Sequence, residues 1–82
     1  MALTDELVFA HAVRARLVSS AMAQLPYEQR EVVALHLNAG MTFRQIAGHQ
    51  NISVSTAKGR YRYGLQKLRS TLNGRLLHET DR

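Results

Sequence analysis

Apolar positions recur along this chain at helical spacing. Leu7, Ala10, Val13, Leu17 and Ala21 fall on one stripe of a helix running from about Asp5 to about Ala23. Thr4 can cap its start, and Asp5 and Glu6 suit the positive end of the helix dipole. Val8, Phe9, Val18 and Met22 widen the apolar arc beyond what one contact face needs. Two explanations fit. Either a three- or four-helix bundle surrounds this helix, which is the plainer expectation, or a partner covers the extra side.

A second helix opens at Pro26, where a missing N–H costs nothing in the first turn, and runs to about Ala39. Gly40 then supplies a left-handed stop. Val33 and Leu37 share a face, and His36 reads as a partly exposed helix residue. The third helix is short. Thr42 and Gln45 have capping-box spacing, Met41 and Ile46 the spacing of a hydrophobic staple, and Phe43, Ile46 and Ala47 face inward. A turn follows at Gln50 and Asn51, the latter tolerant of left-handed backbone angles. Ile52 plugs it into the core and Ser53 caps the next helix. The fourth helix runs from Val54 to about Asn73, with Gly74 as its stop and Val54, Ala57, Tyr61, Leu65, Leu68 and Leu72 as its buried stripe. At about 1.5 Å per residue it spans roughly 30 Å. No sustained period-2 alternation calls for a strand. The expected fold is all-α, a small four-helix domain over 1–82: a support helix at 4–23, a second helix at 26–39, a helix-turn-helix at 42–73 and a frayed tail at 75–82.

Composition narrows the class. The 82 residues are 45 % hydrophobic, enough for one small core. There is no cysteine, hence no disulfide or thiolate metal site. No apolar run approaches a membrane span and no signal peptide opens the chain, so a soluble intracellular domain is expected. The net charge of +5 is unevenly placed. Arg14 and Arg16 sit against Asp5, Glu6 and Glu28 in the first third, whereas Lys58, Arg60, Arg62, Lys67 and Arg69 have no acid among them. A cationic patch on one element points to a polyanion, although most charge runs are merely solvated faces.

Placing the fourth helix at about 100° per residue with Tyr61 at the centre of the buried stripe gives that patch a shape. Opposite lie Ser55, Thr56, Gly59, Tyr63, Gln66 and Ser70. Lys58, Arg62 and Arg69 flank this strip on one side, Arg60 and Lys67 on the other. Hydrogen-bonding groups between two rows of cations suit the DNA major groove, with base edges in the middle and phosphates on both walls. The helix start near Ser53 adds N–H groups and partial positive charge for a phosphate. Gly59 lets the backbone approach bases closely, and Gly64 can admit a neighbouring helix, each at about 1 kcal/mol relative to Ala. The residues expected to bind DNA are Ser53, Ser55, Thr56, Lys58, Gly59, Arg60, Arg62, Tyr63 and Lys67. The four histidines are scattered, with no pair at helical ligand spacing. No nucleophile–base pair or phosphate-binding glycine loop is visible, so no cofactor and no enzymatic activity are expected.

The segment LPYEQREVVALHLNAGMTFRQIAGHQNISVSTAKGRYRYGLQKLR, Leu25 to Arg69, resembles region 4 of bacterial sigma-70-type factors, most nearly the extracytoplasmic-function group. The resemblance rests on Leu25-Pro26, Arg30 and Val32, Gly40, Thr42, Ile46-Ala47, Ile52-Ser53, Thr56, Lys58, Arg60, and Leu65 with Leu68-Arg69. It implies recognition of the promoter −35 element by the second helix of the helix-turn-helix, docking on the flap of the RNA polymerase β subunit, and restraint by an anti-sigma protein. It also implies that Lys58 and Arg60 contact DNA, with Ser55 and Thr56 near a phosphate, in the cytoplasm of a bacterium and on its nucleoid.

The chain departs from the pattern in places. Gln50 stands where a core Leu is usual and would loosen the turn, Asn51 where Gly is usual, Gly59 where Ser is common, and Tyr63-Gly64 where Arg-Ala is frequent. Two base-facing positions therefore differ. The sigma region that reads the −10 element has no counterpart, so an excised domain or a free-standing region 4 homologue is expected. Two other readings stay open. LuxR-type domains share the I-A, I-S and T-V-K core but dimerise through a last helix. A protein-interaction domain that keeps the fold without specific DNA binding would use the apolar surplus of the first helix.

Overall fold

The computed structural model describes the backbone of residues 4–80 and the side chains of residues 4–74. It contains α1 (Asp5–Ala23), α2 (Tyr27–Leu37), α3 (Phe43–Gln50) and α4 (Val54–Thr80), with no strand among the described residues. Each boundary has a local cause. Thr4 Oγ1 accepts the Leu7 N–H at 3.2 Å and opens α1. Pro26 precedes α2 as its N-cap, at φ −53 and ψ 144, one residue earlier in role than expected. Its carbonyl takes the Arg30 N–H at 2.9 Å. Instead of reaching Ala39, α2 ends at Leu37. Gly40, at φ 69, turns the chain so that the Met41 N–H reaches back to the Leu35 carbonyl at 3.0 Å.

The capping box of α3 is complete. The Gln45 N–H donates to Thr42 Oγ1 at 3.1 Å, and the Thr42 N–H donates to Gln45 Oε1 at 2.9 Å. Asn51 takes up φ 57 and ψ 47, the left-handed conformation its short amide tolerates. The Ile52 N–H then closes on the Ala47 carbonyl at 2.9 Å and the Asn51 N–H on the Gly48 carbonyl at 3.4 Å, a Schellman ending. The turn's hydrogen bonds form with Gln50 in place. Its amide lies on the side of the Glu31 carboxylate of α2, whose pKa it helps lower. The Gln50 Oε1 is buried with no hydrogen-bond partner among the described residues, the cost of placing an amide where a Leu would fit.

The core is built where α2, α3 and α4 meet. Val32, Ile46, Ala47 and Ala57 are buried together, with Leu35, Met41, Phe43, Ile52 and Tyr61 packed around them. His36 is more than a partly exposed helix residue. Its ring stacks on Phe43 with centroids 4.3 Å apart, meets Tyr61 edge-on, and its Nδ1 lies 2.8 Å from the Met41 carbonyl oxygen. The expected Val33–Leu37 face is only half correct, since Val33 is buried and Leu37 is exposed.

Gly64 sets how α4 meets α2. A Cβ at that position would stand 2.8 Å from Val33 Cγ2 and 3.4 Å from Gln29 Cβ. This contact turns the buried stripe of α4 from Tyr61 toward Gly64. Ala57, Gly64 and Leu68 are buried, Tyr61, Leu65 and Leu72 half-buried, and Val54 exposed rather than buried. α4 also does not stop at Asn73. Gly74 keeps helical rather than left-handed angles, and the helix continues to Thr80. A single glycine costs about 1 kcal/mol, which a helix of 27 residues carries without breaking. The tail expected to fray at 75–82 is thus helical through Thr80, and residues 81–82 lie outside the described residues.

No bundle surrounds α1. The domain measures 43 × 33 × 15 Å along its principal axes. With packed helices about 8–10 Å apart, so thin a body cannot enclose a helix on all sides. Ala21 is buried and Ala10 and Leu17 are half-buried, whereas Leu7, Val8, Phe9, Val13 and Val18 stay exposed.

Two predictions follow from this packing. Gly64→Ala forces its methyl against a fully buried valine in a close-packed helix pair, at about 1–3 kcal/mol against a helix-propensity gain of about 1. Gly59→Ala meets nothing within 4 Å and keeps the propensity gain alone. Thermal melts should show the first variant destabilised and the second stabilised, and equal shifts would contradict the close contact. The second prediction concerns Glu31. The Tyr27 hydroxyl, then the Gln50 amide, hydrogen-bond its carboxylate and hold its pKa below the ordinary value, with His49 adding attraction. A lowered folded-state pKa stabilises the fold above the unfolded value and loses that effect as pH falls through the folded one. Glu31→Gln should therefore flatten the decline in melting temperature below about pH 5.

Candidate nucleic-acid interface

With α4 anchored through Ala57, Gly64 and Leu68, its outer face is fixed. Ser55, Thr56, Lys58, Arg62, Tyr63, Gln66, Lys67, Arg69 and Ser70 are all exposed there. Gly59 lies among them, half-exposed, with open space where a side chain would be. The turn of the buried stripe toward Gly64 centres this face on Ser55, Gly59, Arg62 and Gln66.

The start of α4 is prepared for an anion. Ser53 Oγ accepts the Thr56 N–H at 3.0 Å and donates its proton to Thr56 Oγ1 at 2.8 Å. Thr56 therefore keeps its own hydroxyl proton for another acceptor. The Ala57 N–H is taken by the Ser53 carbonyl at 3.0 Å, while the Val54 and Ser55 N–H groups have no partner among the described residues. Two open N–H groups, the helix dipole and a donating hydroxyl suit a phosphate oxygen.

Of the nine residues read from the sequence as DNA-binding, Ser53, Ser55, Thr56, Lys58, Gly59, Arg62, Tyr63 and Lys67 lie on this face or at its leading edge. Arg60 is placed differently. It turns toward α2, its side chain is only 27 % exposed, and Nη2 stands 3.7 Å from Glu28 Oε2. The helical wheel put Arg60 on a flank but carried no information about which neighbour lies beyond it. The sequence reading also passed over Arg44. It is exposed on the first turn of α3, and the first helix of a helix-turn-helix is the one that crosses the DNA backbone. A basic residue two positions after the Thr42 cap was the signal available.

Among the described residues no group of three or more His, Cys, Asp or Glu side chains converges as a metal site. No described helix is long and apolar enough to cross a membrane.

A capped short helix, a left-handed turn and a long helix with a cationic polar face define a helix-turn-helix DNA-binding domain. Comparison with protein families makes this specific. Residues 21–70 match Sigma-70, region 4, and the chain belongs to that family. Its role is that of a DNA-binding sigma-factor domain that works with RNA polymerase. The matched segment runs from the last turn of α1 through the helix-turn-helix and most of α4. Comparison with curated proteins gives no match.

Each exposed cation that neutralises a phosphate contributes about −0.9 to the slope of log affinity against log salt. Lys58→Ala and Arg62→Ala should each flatten that slope by about that amount, measured by fluorescence anisotropy with a labelled duplex. Unchanged slopes in both variants would remove these residues from the DNA contact.

Proposed function

We propose that this domain recognises a promoter −35 element of the extracytoplasmic-function type and so supports transcription initiation. The observation that carries the reading is the outer face of α4, where Ser55, Gly59, Arg62, Tyr63 and Gln66 form the surface presented to base edges. Ser53 and Thr56 bind a phosphate at the helix start. Lys58 and Lys67 reach the flanking phosphates, and Arg44 holds the backbone from α3. The reading places the domain in the bacterial cytoplasm, on the nucleoid.

One further observation bears on partners. The exposed Leu7, Val8, Phe9, Val13 and Val18 of α1 give an apolar surface that DNA does not use. It supports docking on the β flap of RNA polymerase, or on an anti-sigma protein that covers the same face. A LuxR-type domain is disfavoured because residues 21–70 match Sigma-70, region 4.

The test is an amide-shift NMR titration with a duplex carrying an extracytoplasmic-type −35 element, beside a scrambled duplex. Larger, saturable shifts over residues 53–63 with the −35 duplex are expected. Equal weak shifts with both would make the DNA contact electrostatic alone and leave polymerase or an anti-sigma as the leading partner.

A further inference from the structure

Arg60 and Glu28 carry an inference that the family pattern does not. In that pattern the arginine at this position is a DNA contact. Here the close approach of α2 and α4 around Gly64 brings the first turn of α2 alongside the second turn of α4. The Glu28 carboxylate then meets the Arg60 guanidinium at 3.7 Å. The carboxylate is 70 % exposed and the guanidinium side chain is largely covered. No other basic side chain among the described residues pairs with Glu28.

We propose that Glu28 is a positioning residue that holds Arg60 off the DNA and thereby sets the affinity of the domain below what its cations would otherwise give. The chemistry is competition. A guanidinium binds a carboxylate and a phosphate oxygen with the same donors, so it serves one at a time. An ion pair with one partner this exposed is weak, which makes it a graded restraint that one substitution releases. Removing the carboxylate leaves Arg60, on its long flexible stem, to swing to the phosphate wall next to Lys67. The inference rests on the DNA-binding role of the face and adds the residue that limits it.

Glu28→Gln, Arg60→Gln and the double variant test it, with a labelled duplex titrated by anisotropy over a range of salt. Glu28→Gln keeps the native shape, Arg60→Gln keeps the start of the stem without the charge, and circular dichroism checks that each variant folds. Arg60→Gln alone should leave the salt slope unchanged. Glu28→Gln should steepen it by about 0.9 and tighten binding roughly three- to fivefold near 0.15 M salt. The double variant should return to the native slope and lose the gain. Two results would overturn the proposal while leaving DNA binding intact. One is a slope already flattened by Arg60→Gln in the native background, as for Arg62. The other is an equal gain from Glu28→Gln with and without Arg60, which would make Glu28 only a distant like charge. Failure of native and Glu28→Gln proteins alike to bind any duplex would overturn both this proposal and the functional reading beneath it.

Discussion

The contact between Val33 and Gly64 is the constraint on which the rest of the domain depends. A long helix placed against a small core has no fixed rotation until something keys it. Here the absence of a side chain at residue 64 lets α2 press directly onto the α4 backbone. The fully buried valine on α2 then sets both the distance and the azimuth of α4. Every exposed residue on the far side takes its direction from that contact. Ser55, Gly59, Arg62 and Gln66 come to the centre of the outer face because Gly64 is at the centre of the inner one. The aromatic group of His36, Phe43 and Tyr61 locks the same arrangement from the α3 side, through the His36 contact with the Met41 carbonyl.

The same packing divides the positive charge. Lys58, Arg62, Lys67 and Arg69 project into solvent, where a phosphate backbone can reach them. Arg60, two residues from Lys58 and equally basic, is drawn to Glu28 because α2 lies on that side. Charge counted along the chain therefore does not show which cations face solvent and which face α2. The slab-like body has a second consequence. It is too thin to wrap α1, so the domain displays a cationic polar face on one helix and an apolar one on another. A sigma region 4 domain that must hold DNA and a protein at once has use for both.

Much of this was legible in the sequence because it depends on local chemistry. The Thr42–Gln45 capping box, the left-handed Asn51 and the Ser53 cap are each determined by residues within a turn of one another, and each forms as its pattern implies. The helix-turn-helix and its family followed from them. What was not legible depends on which helix lies against which. Tyr61 seemed the centre of the buried stripe because it is large and apolar, whereas a glycine holds that place. Gln50 appeared out of pattern until Glu31 proved to be its neighbour. Arg60 read as a flank residue, and no local pattern placed Glu28 of α2 beside it. Gly74 read as a stop, but glycine ends a helix only where the chain adopts left-handed angles, and there it does not.

The central claim is that the outer face of α4, as keyed by Gly64, is the surface that enters the groove. The chain contains no cysteine, so a single introduced one can carry an iron chelate that cleaves nearby DNA. Gln66→Cys places the chelate on the outer face and Ser19→Cys places it on α1. The account predicts cleavage of the −35 duplex confined to a few adjacent nucleotides from residue 66 and background cleavage from residue 19. Diffuse and equal cleavage from both positions would contradict it.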